Sequence, residues 1–348
     1  MKILVTGGCG FIGSNFILKN IKHHKILNYD KLTYAGNLSN LDSIKKNDNY
    51  SFVKGDIKDL SKFNCVIESF KPNYIINFAA ESHVDRSIDS PQDFIETNIL
   101  GTFILLKSSL NYYNNLSKTD KNIFRFLHIS TDEVYGSLGL KGKFKETTSY
   151  NPSSPYSASK ASSDHLVKAW YQTFGLPILI TNCSNNYGPY QFPEKLIPLI
   201  IINCLKNKEL PIYGKGNNIR DWVYVEDHCD GICQVLKKGI IGETYNIGGN
   251  QEMTNIDIVN NLCSILDKVM PSNKVKNYSS LITYVKDRPG HDFRYAIDST
   301  KIERELQFFP KESLKSGLSK TVDWYINNLD WINKISDKKY NQERLGDI

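Results

Sequence analysis

The sequence lacks the cysteine patterns of a disulfide framework and of a zinc site. Its seven cysteines are odd in number and scattered along 348 residues, and no two of them form a Cys-x-x-Cys pair. The sequence also lacks the roughly 18 consecutive apolar residues of a membrane span, and no signal-peptide pattern precedes its first apolar run. These absences predict a soluble, cytoplasmic protein with reduced thiols, no bound metal and no membrane contact.

Charge of one sign is also not concentrated anywhere in the chain. Lys and Arg total 43 against 37 Asp and Glu, and the resulting net charge of +6 is spread along the sequence. This distribution does not indicate a nucleic-acid partner. With 40% hydrophobic and 23% charged residues, the composition is that of an ordinary globular protein.

Short apolar runs alternate with helix-sized segments over the first half of the chain. This alternation predicts an α/β fold, a Rossmann-type doubly wound parallel sheet with a smaller mixed α/β substrate-binding domain. We place the first domain at residues 1–185, with a return segment near 225–249, and the second mainly at 186–348. The predicted strands cover residues 2–6, 25–29, 51–54, 74–78, 124–129 and 178–181, and one long helix is predicted over 90–110.

A glycine-rich turn directly follows the first predicted strand. Gly7, Gly10 and Gly13 open the next helix, which is the context in which glycines let a pyrophosphate approach backbone N–H groups. Asp30 ends the second strand, where a carboxylate can accept hydrogen bonds from ribose hydroxyls and would repel a 2′-phosphate. The pair of signals predicts a domain that binds NAD in preference to NADP.

Two further motifs carry ionisable side chains. Tyr156 and Lys160 lie four residues apart, so on a helix they share a face, and the ammonium can lower the pKa of the phenol toward that of a general base. Asp132 and Glu133 follow a buried strand, at the sheet edge where ligands bind. Two adjacent carboxyl groups suggest acid and base chemistry beyond hydride transfer.

The glycine turn and the Tyr-Lys pair together resemble the extended short-chain dehydrogenase/reductase superfamily. Within it, the chain resembles the dTDP-glucose 4,6-dehydratase family, and the matching segments are residues 34–37, 78–87, 131–133, 153–156, 182–189, 220–222 and 287–292. Cys9 stands where that family more often has Ala, an exchange that we expect to be neutral. The last dozen residues carry little of the resemblance.

The resemblance implies two sets of ligand contacts. Those for NAD are Gly7, Gly10, Phe11, Ile12, Gly13, Asp30, Lys31, Leu32, Thr33, Asp56, Ile57, Ala79, Ala80, Thr97, Tyr156, Lys160 and Asn186. Those for the nucleotide-sugar are Ser82, Thr131, Asn185, Glu194, Lys195, Leu196, Pro211, Tyr213, Arg220, Asn255, Arg288 and His291. The paired N–H donors of an arginine guanidinium suit a pyrophosphate, and an aromatic ring can pack on a nucleotide base.

The resemblance also implies a reaction of deoxysugar biosynthesis, from dTDP-glucose to dTDP-4-dehydro-6-deoxyglucose and water. In that reaction Thr131 positions the sugar and Tyr156, assisted by Lys160, is the first base. Glu133 then removes the C5 proton and Asp132 protonates the leaving hydroxyl. The family further implies a homodimer joined through a four-helix contact of residues 90–112 and 156–174.

Other interpretations stay open at the level of sequence. A nucleotide-sugar 4-epimerase or decarboxylase would share most motifs, although an epimerase does not need Asp132 and Glu133. A non-catalytic member that senses redox state or contacts RNA would be expected to lose Tyr156 and Lys160. Nucleotide preference, dTDP or UDP, is not fixed by the residues. His83, His128 and His165 show no ligand spacing and are interpreted as structural.

Overall fold

The computed structural model describes residues 1–339 of the chain. The strands are β1 (Lys2–Thr6), β2 (Lys25–Asp30), β3 (Tyr50–Lys54), β4 (Tyr74–Asn77), β5 (Arg125–Thr131), β6 (Ile178–Cys183), β7 (Asn185–Tyr187), β8 (Leu210–Tyr213), β9 (Ile219–Tyr224), β10 (Thr244–Ile247), β11 (Glu252–Thr254) and β12 (Ile282–Val285). All six predicted strands are confirmed, with ends that shift by at most two residues.

The helices flank these strands in chain order. They are α1 (Phe11–Asn20), α2 (Leu60–Phe70), α3 (Val84–Asp89), α4 (Pro91–Phe94), α5 (Thr102–Asn114), α6 (Lys118–Ile123), α7 (Pro155–Phe174), α8 (Leu196–Lys206), α9 (Val225–Lys238), α10 (Asn255–Val269), α11 (Thr300–Leu306), α12 (Leu314–Asn327) and α13 (Leu329–Lys339). Short 3-10 turns cover Leu38–Ile44, Asp132–Tyr135 and Tyr278–Leu281.

Seven parallel strands form the central sheet, in the order β10-β6-β5-β4-β1-β2-β3. Helices α2, α5 and α7 pack on one face through residues such as Phe63, Leu105 and Val167. Helices α1, α9 and α11 cover the other face. Apolar groups on both faces explain why the central strands are almost continuously hydrophobic. The Rossmann-type α/β fold predicted from the sequence is confirmed.

The chain leaves β1 toward β2 and β3 and then returns to place β4 on the other side of β1. In such sheets the reversal opens a crevice at the carboxyl ends of the strands, where ligands bind. Residues 244–247 return to this sheet, since β10 pairs in parallel with β6.

A second apolar core lies in the later part of the chain. It is built from α8, α10 and α12 and from two small sheets, β11-β9-β7 and β12-β8. Its buried residues run from Tyr187 to Ile335. The boundary between domains at 185/186 stays a prediction.

The single helix expected over residues 90–110 is wrong in detail. The segment is helical from Pro91 to Asn114, but Ile95–Gly101 forms a π-helical stretch between α4 and α5. A Cβ on Gly101 would lie 2.5 Å from Ile57 Cδ1, so the glycine allows a close approach there. Within the same stretch, Asn98 Nδ2 donates to Ser159 Oγ on α7 at 2.8 Å. Both contacts are compatible with the wider turn of a π-helix. Such turns are frequent at functional sites.

The described residues contain neither a membrane-spanning helix nor a cluster of metal ligands. None of the helices within residues 1–339 has the length and apolar character that a bilayer span requires. In the same part of the chain, no group of three or more His, Cys, Asp or Glu side chains is arranged to hold a metal ion.

Candidate active site

One large cavity lies at the carboxyl ends of β1, β2, β4, β5 and β6 and extends to the loop before α8. It brings together most residues predicted from the sequence, namely Gly7, Gly10, Phe11, Ile12, Gly13, Asp30, Lys31, Thr33, Asp56, Ile57, Ala79, Ala80, Ser82, Thr97, Thr131, Asp132, Glu133, Tyr156, Lys160, Asn185, Asn186, Glu194 and Lys195. The predicted residues outside its lining are Leu32, Leu196, Pro211, Tyr213, Arg220, Asn255, Arg288 and His291.

The glycine turn has the backbone that a dinucleotide requires. Gly7 has φ +71°, and a Cβ there would lie 2.6 Å from the backbone nitrogen of Ala79. The Gly10 N–H donates to the Gly7 carbonyl at 3.1 Å, which closes the turn before α1. Side chains at these positions would fill the space beside the helix N-terminus, so the turn fits a pyrophosphate.

Asp30 organises the neighbouring loop as well as facing the cavity. Its carboxylate accepts hydrogen bonds from the N–H groups of Cys9 (2.8 Å) and Leu32 (2.7 Å). Lys31, the next residue, pairs with Asp56 at 2.8 Å. The negative charge of Asp30 is therefore fixed at the end of β2, where it favours free ribose hydroxyls over a 2′-phosphate. Leu32 serves this loop through its backbone rather than through the cavity.

The two adjacent carboxyl groups occupy the turn that ends β5. Thr131 caps this turn, since its hydroxyl accepts from the Glu133 N–H at 3.3 Å. Burial, strengthened by the neighbouring charge of Glu133, raises the pKa of Asp132 well above its usual value. Burial also raises the pKa of Glu133, but the nearby cations of Arg288, Lys195 and Arg220 oppose that shift.

The environments of the pair are thus different. Asp132 is only 1% exposed and its Oδ2 accepts no hydrogen bond within residues 1–339, which favours the protonated acid. Glu133 faces three cations, which favours the carboxylate. Two titratable groups whose surroundings separate their pKa values are suited to act as acid and base.

Tyr156 and Lys160 both lie on α7, which begins at a capping box of Ser154 and Ser157. The Lys160 Nζ donates to the Ile129 carbonyl at 2.8 Å. Burial, followed by the charge of Glu133, raises the pKa of Tyr156 well above its usual value. The expected lowering of the phenol pKa by Lys160 is therefore not seen, because desolvation of the phenol dominates its pKa.

The two arginines predicted to bind the pyrophosphate, Arg220 and Arg288, do not line the cavity, but their charges act on Glu133. Arg288 donates to Asp85 Oδ1 at 3.3 Å, and the Tyr213 hydroxyl donates to Asp85 Oδ2 at 3.0 Å. The Arg220 guanidinium is 4.2 Å from the Tyr295 ring centroid and donates to the Asp292 carbonyl at 3.0 Å. These side chains are held by protein groups and act on the cavity through their charge on Glu133.

Residues at the mouth of the cavity link its two sides. Glu194 accepts hydrogen bonds from Tyr34 and Arg86, each at 3.0 Å. Lys195 donates to the Ser82 carbonyl at 2.9 Å. Both predicted acidic and basic residues of this loop are therefore held against the strand ends of the first half of the chain.

Sequence reasoning missed several residues at the site. The cavity is also lined by Tyr29, Ala35, Gly36, Gly55, Phe78, Glu81, Ile129, Ser130, Cys183, Ser184, Gln191 and Phe192. Glu81 and Phe78 lie in segment 78–87, so the resemblance contained a signal for them. Gln191 and Phe192 lie in a loop with no motif of its own, and only the folded chain brings them to the cavity.

The curated proteins that this chain resembles at about 53–54% identity are dehydratases of nucleotide-sugars, whereas 4-epimerases of nucleotide-sugars share its fold at 28–30% identity. The family model described as GDP-mannose 4,6 dehydratase matches residues 4–321. The dTDP-glucose 4,6-dehydratase of Escherichia coli is 54% identical in an alignment that covers 99% of this chain and 99% of that protein.

Solved structures extend the similarity to the fold. The dTDP-glucose 4,6-dehydratase of Bacillus anthracis, crystallised with NAD, has a TM-score of 0.85 and 47% identity over 96% of this chain and 99% of that one. The enzyme of the same name from Streptomyces venezuelae, also with NAD bound, has a TM-score of 0.87 and 43% identity over 96% of this chain and 100% of that one.

Proposed function

We propose that this chain, which belongs to the dTDP-glucose 4,6-dehydratase family, converts dTDP-glucose to dTDP-4-dehydro-6-deoxyglucose and water through the residues described above. It is an NAD-dependent hydro-lyase of deoxysugar biosynthesis. The observation that carries the proposed residue roles is the Asp132–Glu133 pair, in which Asp132 is buried and Glu133 is half-buried, and which lines the same cavity as Tyr156 and the glycine turn.

The residues of the first half of the chain fit NAD. Gly7 lets the turn pack directly against the Ala79 backbone ahead of the N-terminus of α1, where a pyrophosphate can bind, and Asp30 presents a fixed carboxylate to the adenosine ribose. When bound, NAD supplies a reversible acceptor for the hydrogen of C4, which is returned at C6. The overall reaction therefore consumes no cofactor.

The first step assigned to the protein is removal of the proton from the 4-hydroxyl. Tyr156 is the base, and Thr131, whose side chain is within hydrogen-bonding reach of the phenol, positions the sugar hydroxyl. Burial raises the pKa of Tyr156, so proton removal requires a cation close to the phenol. Lys160, on the same face of α7, is the nearest such cation in the proposal.

The second step is loss of water across C5 and C6. The 4-ketone acidifies C5, and Glu133, whose ionised form is favoured by three cations, removes that proton. Asp132, which burial keeps protonated, gives its proton to the departing C6 hydroxyl. Glu133 then returns its proton to C5 and is restored. The proton that Tyr156 took from the 4-hydroxyl passes through solvent to replace the one that Asp132 gave up, so all three groups regain their starting states.

The predicted nucleotide-sugar contacts complete the proposal. Arg220 and Arg288 offer forked donors to the pyrophosphate, and Tyr213 packs near the nucleotide. Asn185, Glu194 and Lys195 line the cavity, and the predicted contacts outside its lining, namely Leu196, Pro211, Tyr213, Arg220, Asn255, Arg288 and His291, are proposed to extend the site toward the nucleotide. Selection of dTDP over UDP is supported by the named relatives.

The proposed assembly is a homodimer through α4, the π-helical stretch, α5 and α7. Large apolar side chains on these helices are exposed in the single chain, namely Ile95, Leu100, Tyr171 and Phe174.

A cytoplasmic location is also proposed, because all seven cysteines are free thiols.

Incubation of the purified protein with dTDP-glucose tests the function. We expect a 4-keto-sugar to accumulate without added NADH, and extraction of the bound cofactor to give NAD. UDP-glucose as a parallel substrate tests the nucleotide preference. Recovery of NADP, or a steady need for added NADH, would contradict the assignment of Asp30.

A further inference from the structure

A second buried ionisable group lies one turn after Lys160 on the same helix. Asp164 is 0% exposed and Lys160 3%. The Asp164 Oδ2 accepts hydrogen bonds from Ser130 Oγ at 2.8 Å and from the Tyr150 hydroxyl at 2.9 Å. Its other oxygen, Oδ1, has no hydrogen-bond donor among residues 1–339. When neutral donors satisfy only one oxygen of a buried carboxylate, a nearby cation is needed to stabilise its charge.

His128 contacts both members of this pair. Its Nε2 lies 3.3 Å from the Lys160 Nζ and 3.5 Å from Asp164 Oδ1. Its Nδ1 lies 3.1 Å from Asn77 Nδ2, which joins the ring to β4. Burial, and then the charge of Lys160, lowers the pKa of His128 well below its usual value, so the imidazole is neutral. Because Asn77 Nδ2 donates to Nδ1, the neutral ring carries its proton on Nε2, which is aimed at Asp164 Oδ1 and does not accept from Lys160.

The ionisable groups that face Lys160 and Asp164 come from four segments. Burial raises the pKa of the Cys183 thiol, on β6, to about 12, and burial also raises the pKa values of Tyr135 and Tyr150. All three are therefore neutral near pH 7. Asp164 is then the remaining acidic group that acts on the charge of Lys160 within the described residues. Burial raises the pKa of Asp164 too, but the charge of Lys160 and the hydrogen bonds from Ser130 and Tyr150 oppose that shift.

We propose that Asp164 is a positioning residue for the dehydratase reaction, which keeps Lys160 charged on the helix face that it shares with Tyr156, and that His128 holds Asp164. Burial drives Lys160 toward its neutral form, and the carboxylate of Asp164 opposes that change. Without the ammonium, the buried phenol has no cation on its own helix face to favour its ionised form. The inference rests on the proposed role of Tyr156 and Lys160.

The test is the substitution Asp164→Asn, which keeps the side-chain shape and removes the charge. The rate of C4 oxidation in a single turnover, followed by NADH absorbance, is measured against pH together with bound NAD content. We expect the rate near pH 7 to fall by about 10- to 100-fold, less than the upper end of a lost general base. The acidic limb of the pH profile should move to higher pH. NAD content should not change.

A matched control and a second background make the result specific. Tyr150→Phe removes one hydrogen bond to Asp164 but leaves its charge, so its pH profile should match that of the parent. In a Lys160→Met background, Asp164→Asn should have no further effect, because the residue acts through Lys160. If Asp164→Asn does not fold, His128→Gln replaces it and should move the profile in the same direction.

Two outcomes would overturn the inference. One is a parental pH profile for Asp164→Asn, and the other is an equal loss of rate with and without Lys160. Failure of the proposed function itself is distinguishable, because then the parent protein would form no NADH from dTDP-glucose.

Discussion

At the scale of single residues, Tyr156 combines an apolar setting with an acid–base role. Its ring packs edge-on against Phe94, with 6.2 Å between centroids, and burial raises the pKa of its phenol. The ring contact and the hydroxyl can be separated by substitution, because Phe keeps the first and lacks the second.

We expect Tyr156→Phe to lose about 10²- to 10⁴-fold in the rate of C4 oxidation, since a general base is removed. The measurement is NADH formation in a single turnover, with bound NAD and thermal unfolding as checks on the fold. NADH formation at the parental rate would remove Tyr156 from its proposed role.

Asp132 gives a prediction about stability and pH. Because burial raises its pKa, the folded protein holds this proton more tightly than the unfolded chain does. As pH rises above the ordinary carboxyl value of about 3.9, the unfolded chain releases the proton first, and the free energy of unfolding falls. In Asp132→Asn the side chain is neutral at every pH, so its free energy of unfolding does not fall for this reason.

The stability of Asp132→Asn relative to the parent should therefore improve from about pH 5 to about pH 8. Denaturant unfolding at both values measures it, with the exposed Asp48→Asn as the matched control. A stability difference that does not depend on pH would contradict the proposed protonated state of Asp132.

At the scale of elements, the turn between β1 and α1 holds the cofactor half of the site. Gly7→Ala would add a Cβ 2.6 Å from the Ala79 nitrogen at a φ of +71°. The backbone conformation alone should cost about 1–3 kcal/mol. We expect lower thermal stability and at least a tenfold weaker NAD affinity by calorimetry.

Gly139→Ala is the control for that turn. No atom lies within 4 Å of a Cβ built at Gly139, so NAD affinity and stability should match the parent. Equal effects of the two substitutions would mean that the close approach at Ala79 does not shape the NAD site.

Elements with a strong local pattern could be predicted from the sequence, and those defined by packing could not. The apolar runs of β1, β5 and β6 are local signals, and the structure confirms the strands that they predict. The π-helical stretch Ile95–Gly101 depends on contacts of Gly101 with Ile57 and of Asn98 with α7, which lie far apart in the sequence.

The site shows the same division. Motif residues such as Asp132 and Tyr156 were found because their spacing and context are local. The opposing effects of Arg288 and Lys195 on Glu133, and the contact of His128 with Lys160, arise only when distant segments meet. His128 was interpreted as structural, and its neutral, buried state agrees with that as far as charge is concerned. The last nine residues, within the tail that carries little resemblance, lie outside the described part of the chain.

At the scale of the whole molecule, exposed apolar groups on one helical surface predict self-association. Leu100 is 45% exposed and Phe174 51% exposed, on the π-helical stretch and α7. Leu100→Glu should shift the protein from twice the chain mass to the chain mass in light scattering. Leu140→Glu, at a 79% exposed loop position away from these helices, is the control and should stay dimeric. A parent that is monomeric would contradict the proposed dimer.

The most direct test of the whole account follows the hydrogen on C4 of the sugar. Product made from C4-deuterated dTDP-glucose is analysed by NMR, because a dehydratase and an epimerase return that hydrogen to different carbons. Since Asp132 and Glu133 are assigned to water loss across C5 and C6, the account predicts deuterium at C6 of a 4-keto-6-deoxy product. Deuterium returned to C4 with inverted configuration, and none at C6, would show an epimerase and contradict the account.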